Sequence, residues 1–134
     1  MVDKILLMIV VLIAISFSII FIPLLYSWRY RVFYENVVKI LDAIEYVSEN
    51  PGSEITLNLY IVYSKIGFYK NYMFFEKPVV LNFIPRIVVL KNVVKYDSNQ
   101  IYFRNLNVSN MIVIYGYIKI KIQNNINYIS IVRE

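Results

Sequence analysis

An uninterrupted apolar run from Ile5 to Leu25 dominates the start of the chain; it carries no charge, and its only polar residues are Ser16 and Ser18. At about 1.5 Å per residue, a helix over this run is roughly 30 Å long, which matches the hydrocarbon core of a bilayer. Aromatic and basic residues follow directly, from Tyr26 to Arg31, as is typical of a membrane–water interface. The run therefore predicts a membrane-length helix over residues 1–28.

Two other interpretations of this run are weaker. A cleaved secretory signal would need a shorter apolar stretch and a small-residue cleavage site, whereas residues 21–27 are mostly bulky. A buried helix in a soluble domain would need a large core on every side, which the rest of the chain can hardly supply. We expect lipid or equally apolar protein around the helix, and the contact residues predicted for it are Ile5, Leu12, Ile15, Ile20 and Pro23.

The helix is predicted to continue as an amphipathic segment over residues 29–50, because no Gly or Pro interrupts the sequence there. Apolar residues recur at helical spacing on one side of this segment, and polar residues fill the other side. Asn50-Pro51-Gly52-Ser53 then ends the helix. We predict that the apolar stripe packs on a β-rich domain, and its residues are Val37, Ile40, Leu41, Ile44 and Val47.

Residues 53–134 change to a period of two, which predicts strands. The clearest alternation lies in Ile55–Tyr63 and in Met111–Ile122, where isoleucine and leucine alternate with polar or tyrosine positions. Further strands are predicted over Gly67–Glu76, Pro78–Phe83, Arg86–Lys95, Ile101–Leu106 and Ile126–Val132. The fold class expected is therefore α+β: a long N-terminal helix followed by an antiparallel β sandwich or rolled sheet of six to seven strands.

The composition excludes several kinds of chemistry. The chain has no cysteine and no histidine, so disulfides, Cys or His metal ligands and Ser-His or Cys-His nucleophile pairs are ruled out. The sequence contains no catalytic, metal or phosphate-binding motif, and we expect no enzymatic activity, no cofactor and no small-molecule substrate. The net charge of +5 falls on the second part of the chain, since residues 1–50 hold four Lys/Arg against five Asp/Glu.

The whole layout resembles the archaeal type IV pilins. A short charged stub precedes a wholly apolar half-helix with Pro23 near its end, and an amphipathic half, a Pro-Gly turn and a β domain follow. Residues 38–59 are similar to the helix-to-first-strand junction of such proteins. The resemblance implies that a peptidase trims the stub, that the apolar half-helices bundle into a filament core, and that the β domains lie outside.

The sequence departs from the pilin pattern at the processing site, and this keeps a second interpretation open. The processing peptidase usually requires Lys or Arg followed by Gly or Ala, and here Lys4 is followed by Ile5. From the resemblance we predict a structural subunit of an extracellular type IV pilus-like filament, which assembles as a homo-oligomer through its N-terminal helix with the β domain exposed and resides in the membrane beforehand. The alternative is a single-span membrane protein whose β domain binds a partner, as an accessory of a surface machine or a viral envelope component.

Three smaller features are candidate sites. Asn107-Val108-Ser109 is an N-glycosylation acceptor sequence near a predicted turn. The many Tyr and Lys residues of the β domain fit single-stranded nucleic acid, although Tyr favours strands and Lys protects sheet edges in any case. Asp42, Glu45 and Glu49 share one helical face, which suits either a divalent cation or simple solvation.

The charges flanking the apolar run do not fix its orientation. Lys4 precedes the run, while Arg29, Arg31 and Lys39 follow it, so the positive-inside rule alone favours a cytoplasmic β domain. The pilin-like layout, the glycosylation sequence and the absence of cysteine argue the other way. We predict a membrane or cell-surface location with the β domain extracytoplasmic.

Overall fold

A single long helix precedes the sheet. The computed structural model describes residues 1–79 and 90–134, and in it α1 runs from Val2 to Glu49 without interruption, about 72 Å at 1.5 Å per residue. Pro23 lies inside the helix. The helix ends at Asn50, where Pro51 and Gly52 form a turn, and Gly52 has a positive φ of 81° that glycine adopts without strain.

Within the described residues, six strands form one antiparallel sheet in the order β3-β4-β2-β1-β5-β6. Their bounds are β1 Glu54–Lys70, β2 Tyr72–Phe75, β3 Val93–Tyr96, β4 Gln100–Phe103, β5 Val108–Asn124 and β6 Ile129–Arg133. The predicted α+β fold class, with one long N-terminal helix and an antiparallel sheet of six strands, is confirmed.

The two longest strands fold back on themselves, which rolls the sheet. A straight 17-residue strand would be about 56 Å long. Yet both ends of β5 lie beside Ile129: Asn124 is its strand partner, and Leu106, two residues before β5, forms a parallel bridge to it. The strand therefore reverses along its length, and Gly116, with a φ of 74°, lies near its middle.

Strand β1 bends at the same level as β5. Ile61 pairs with Gly116 and Ile66 pairs with Ile114, so five steps along β1 oppose only two steps along β5. Tyr63 takes a φ of 74° within this irregularity. Odd-numbered residues of β1 are buried before this irregularity, and even-numbered residues are buried after it. The extra residues cause this change, because they reverse which side chains face the core. We call residues 62–65 and 115–117 together the bend.

The second half of α1 packs against β1, β5 and β6. It runs antiparallel to the first part of β1, since Val47 contacts Asn124 while Phe33 lies near Tyr63 at the bend. One continuous hydrophobic core joins this half of the helix to the inner face of the rolled sheet. The first half of the helix extends beyond the bend, away from the core.

Several predicted strand boundaries are wrong. The strand predicted over Gly67–Glu76 contains a turn at Asn71, because β1 continues through the bend to Lys70 and only β2 lies beyond the turn. The predicted strand Ile101–Leu106 stops at Phe103, and the one over Ile126–Val132 begins three residues later, because Ile126 occupies a turn with a φ of 73°. Residues 80–89 of two other predicted strands lie outside the described residues.

Candidate assembly helix and collar

Every residue of α1 up to Trp28 is exposed. Among the predicted contact residues, Ile5, Leu12, Ile15 and Ile20 have 54, 60, 51 and 66% of their surface exposed, and Pro23 is exposed as well. By length and composition this helix could cross a membrane, and no part of its most apolar window is buried in the protein. Such an all-round apolar surface requires lipid or protein around it.

The two hydroxyl groups in the apolar run are satisfied within the helix. Ser16 Oγ donates to the Leu12 carbonyl oxygen and Ser18 Oγ donates to the Ala14 carbonyl oxygen, both at 2.8 Å. A buried hydroxyl without a partner would be unfavourable in hydrocarbon, and these bonds remove that cost. Nothing polar within residues 5–25 therefore opposes transfer to an apolar environment.

The second half of α1 has the opposite surroundings. The five residues predicted to dock on the sheet are each at most 2% exposed: Val37, Ile40, Leu41, Ile44 and Val47. Phe33, fully buried one turn earlier, extends the same stripe, and the sequence prediction missed it. Its spacing of four residues from Val37 was the available signal.

Polar bonds fix the helix on the sheet at two heights. The buried Asn36 side chain donates from Nδ2 to the Tyr60 carbonyl oxygen at 3.1 Å and accepts from the Tyr60 backbone N–H at 3.3 Å. Near the C-terminal end of α1, Asn124 Nδ2 donates to the Val47 carbonyl oxygen at 2.6 Å. Because these bonds join fixed backbone groups, the helix keeps one direction relative to the sheet.

Aromatic rings pack where the helix leaves the sheet. The Tyr63 ring at the bend lies 5.6 Å from that of Tyr26, 5.0 Å from that of Tyr30 and 5.5 Å from that of Phe33. The Lys77 ammonium group lies 5.2 Å from the centre of the Tyr63 ring, a cation–π distance. Burial beneath these neighbours raises the pKa of the Tyr63 phenol above its ordinary value of 10.0.

A set of aromatic and basic side chains lies at this level of the molecule, on α1, at the bend and just after β2. We call it the collar, and its members are Trp28, Arg29, Arg31, Lys65, Lys77 and Tyr115. Arg29 Nη2 donates to the Tyr115 hydroxyl at 3.5 Å, which ties the helix to β5. Trp28 is 44% exposed and Tyr115 50% exposed, and the side chains of Arg31, Lys65 and Lys77 are also accessible. The sequence pattern indicates only the helical members, because the others come from distant segments.

The acidic side chains on one face of α1 contact another segment of the same chain. Glu45 accepts hydrogen bonds from the backbone N–H groups of Lys91 and Asn92, at 2.8 and 3.2 Å. Glu49 forms an ion pair with Lys91 at 3.1 Å. Within residues 1–79 and 90–134, no group of three or more acidic residues is arranged to hold a metal ion. These carboxylates therefore hold the start of the segment that leads into β3.

The two remaining candidate features lie on the surface. Asn107 and Ser109 are both exposed, and the Asn107 backbone N–H donates to Ile129. On the outer face of the sheet, Tyr72 and Tyr102 pack with ring centres 5.5 Å apart, and the Lys95 ammonium lies 4.4 Å from the Tyr102 ring. These three side chains, which belong to the Tyr and Lys residues predicted to suit nucleic acid, thus pack against one another.

No protein-family model matches the chain, and neither curated proteins nor solved structures give a match. The features of the molecule that indicate a function are therefore the exposed half-helix, its fixed direction and the collar.

Proposed function

We propose that the chain is a structural subunit of a type IV pilus-like surface filament, in which residues 5–25 form the core and the rolled sheet lies outside. The observation that carries this proposal is the contrast within α1: the apolar half makes no core contact with the sheet, whereas the other half is firmly docked. Burying apolar surface contributes about 25 cal/mol per Å² whether lipid or neighbouring helices exclude the water. Identical helices can therefore replace lipid around residues 5–25.

The fixed direction of α1 favours a filament over a simple tether. A helical assembly repeats one heterologous contact, so each subunit must hold its contact surface in the same orientation. The Asn36 and Asn124 bonds and the buried stripe supply that rigidity. A tether would function equally well with a flexible connection. The resemblance in layout to archaeal pilins points in the same direction.

Ile15→Asp tests this proposal in cells. A carboxylate among packed apolar helices costs several kcal/mol unless it is neutralised, so filaments sheared from the cells should lack the variant. The matched control, Ile15→Leu, retains the apolar surface and should assemble. The proposal fails if sheared filaments lack the unsubstituted chain while membranes retain it.

The second candidate function is a permanent single-span anchor whose β domain binds a partner. The flank of Trp28, Arg29 and Arg31 favours it, because these residues suit the headgroup layer of a lasting membrane position. The Lys4-Ile5 sequence also favours it, since it departs from the usual processing site. Intact mass spectrometry discriminates the two: trimming before Ile5 supports the filament, and an untrimmed N-terminus supports the anchor.

We further propose that the β domain lies on the extracytoplasmic side. Exposed Asn107 and the absence of cysteine are the arguments for that side. Protease added to intact cells should then degrade the sheet and leave a fragment containing residues 5–25. Full protection of the sheet would place it in the cytoplasm and overturn this part of the proposal.

A further inference from the structure

The collar lies at the depth where a bilayer changes from hydrocarbon to headgroups. Residues 5–25 span about 30 Å, and the headgroup layer on each side adds roughly 5 to 7 Å. Residues 26–31 of the same helix cover about 8 Å, so they fall within that layer when the apolar run fills the hydrocarbon. Trp28, Arg29 and Arg31 therefore meet lipid headgroups in any membrane-inserted state.

The rolled sheet reaches the same level as these helical residues. Tyr115 lies within 3.5 Å of Arg29, and the rings of Tyr63 and Tyr26 are in contact at 5.6 Å. The bend is thus level with the end of the apolar run rather than held away from it on a bare length of helix. The docking of α1 through Asn36 fixes this height.

The charge of the collar is predominantly positive. Arg29, Arg31, Lys65 and Lys77 contribute four cations. Glu76 Oε1 lies 3.9 Å from Lys65 Nζ and offsets part of this charge. Arginine and lysine near the surface of a bilayer attract anionic lipid headgroups, while tryptophan and tyrosine favour the same layer.

We propose that the collar binds the anionic headgroup layer of the membrane that the apolar half of α1 spans, so that the bend of the sheet rests on the bilayer surface. This proposal rests on the membrane-inserted stage of the proposed function. It adds that the β domain itself contacts lipid, through Lys65, Lys77 and Tyr115. Continuity between the apolar helix and the collar identifies lipid as the occupant.

Tryptophan fluorescence can test this contact in the full-length chain, because Trp28 is its single tryptophan. The chain is placed in phosphatidylcholine vesicles with or without phosphatidylglycerol, and quenching is measured with a lipid that carries a quencher in its headgroup. The other reporters are all made in a Trp28→Phe background, so that each variant has one tryptophan. Tyr115→Trp reports on the bend, and Tyr117→Trp, where the side chain is 85% exposed, is a second reporter there. Tyr128→Trp is the matched control, since position 128 lies in the turn between β5 and β6, far from the bend.

We expect strong quenching at Trp28 and at both bend reporters, and none at position 128. Lys65→Gln with Lys77→Gln should reduce quenching at the bend several-fold in vesicles that contain phosphatidylglycerol and change little in phosphatidylcholine alone. If the double variant has no effect with the anionic lipid, the assignment to anionic headgroups is wrong.

Two other outcomes separate this inference from the proposed function. Quenching at Trp28 with no more quenching at the bend than at position 128 would overturn the collar contact and leave insertion of α1 intact. Absence of quenching at Trp28 itself would overturn membrane insertion, and the proposed function and the collar contact would fail together.

Discussion

The two halves of α1 differ in surroundings far more than in secondary structure. Both belong to one uninterrupted helix, and both are rich in Ile, Val and Leu. Leu12 is 60% exposed and Leu41 only 2%, because the rolled sheet covers one half and nothing in the described chain covers the other. Helix formation and burial are thus independent here, because α1 is helical along its whole length while only one half is buried.

The largest expected effect compares the same substitution in both halves. Leu41→Ala removes buried aliphatic groups and should lower the free energy of unfolding of the sheet by about 2 to 5 kcal/mol. Leu12→Ala should change it by less than about 0.5 kcal/mol, because that side chain makes no core contact. Denaturant unfolding of the full-length chain in detergent, followed by the near-ultraviolet signal of the tyrosines, measures both. Equal losses would show that the halves are not energetically distinct.

A smaller effect is expected from the polar residues. Asn36→Ala removes both hydrogen bonds to the backbone of Tyr60 and should cost about 1 to 3 kcal/mol. Ser16→Ala is the control in the exposed half, where the hydroxyl bonds only to its own helix, and it should leave unfolding unchanged. The same unfolding measurement applies. A harmless Asn36→Ala would mean that apolar packing alone holds the helix in place.

The smallest expected effect is the pH dependence of the ion pair between Lys91 and Glu49, at the C-terminal end of α1. A hydrogen bond to Glu49, and the charge of that carboxylate, raise the pKa of Lys91 above its ordinary value of 10.5. The pair therefore contributes stability below about pH 10.5, and this contribution disappears as the pH rises through the raised pKa. Glu49→Gln should reduce stability slightly at neutral pH and not at all at the highest pH.

The control for this comparison is Glu35→Gln, an exposed position on the same helix. Its effect on unfolding should not change between neutral and high pH. Because Lys91 is largely exposed, solvent screens the ion pair and the expected difference is small. A Glu49→Gln effect that persists above the raised pKa would assign the contribution of Glu49 to packing instead.

Local sequence signals predicted the helix well and the strands less well. The stripe from Val37 to Val47 follows the helical period, and Pro51-Gly52 marks the stop, so both could be read from neighbouring residues. The predicted end of a strand at Tyr63 was wrong, because the alternation of apolar residues changes phase there while the strand continues. A shift of phase within one strand is indistinguishable, in sequence, from two separate strands.

The collar shows the same limit for the candidate site. Trp28, Arg29 and Arg31 could be identified because they directly follow the apolar run. Lys65, Lys77 and Tyr115 could not, because they are 36 or more residues away from Arg29 along the chain and no local pattern relates them to it. The bend in β1 and β5 brings Lys65 and Tyr115 to the point where the helix leaves the sheet, and the pairing of β2 with β1 brings Lys77 there.

The sequence by itself determined the apolar run, its helical continuation, the turn at Pro51-Gly52 and the alternation of the later strands. These features depend on interactions between residues a few positions apart, which composition and spacing reveal directly. The tertiary structure alone decided that Leu41 is covered and Leu12 is not, that the sheet rolls at Tyr63 and Gly116, and that the collar forms. Those outcomes depend on pairing between distant segments, where burial of the shared core outweighs the local preference of any one segment.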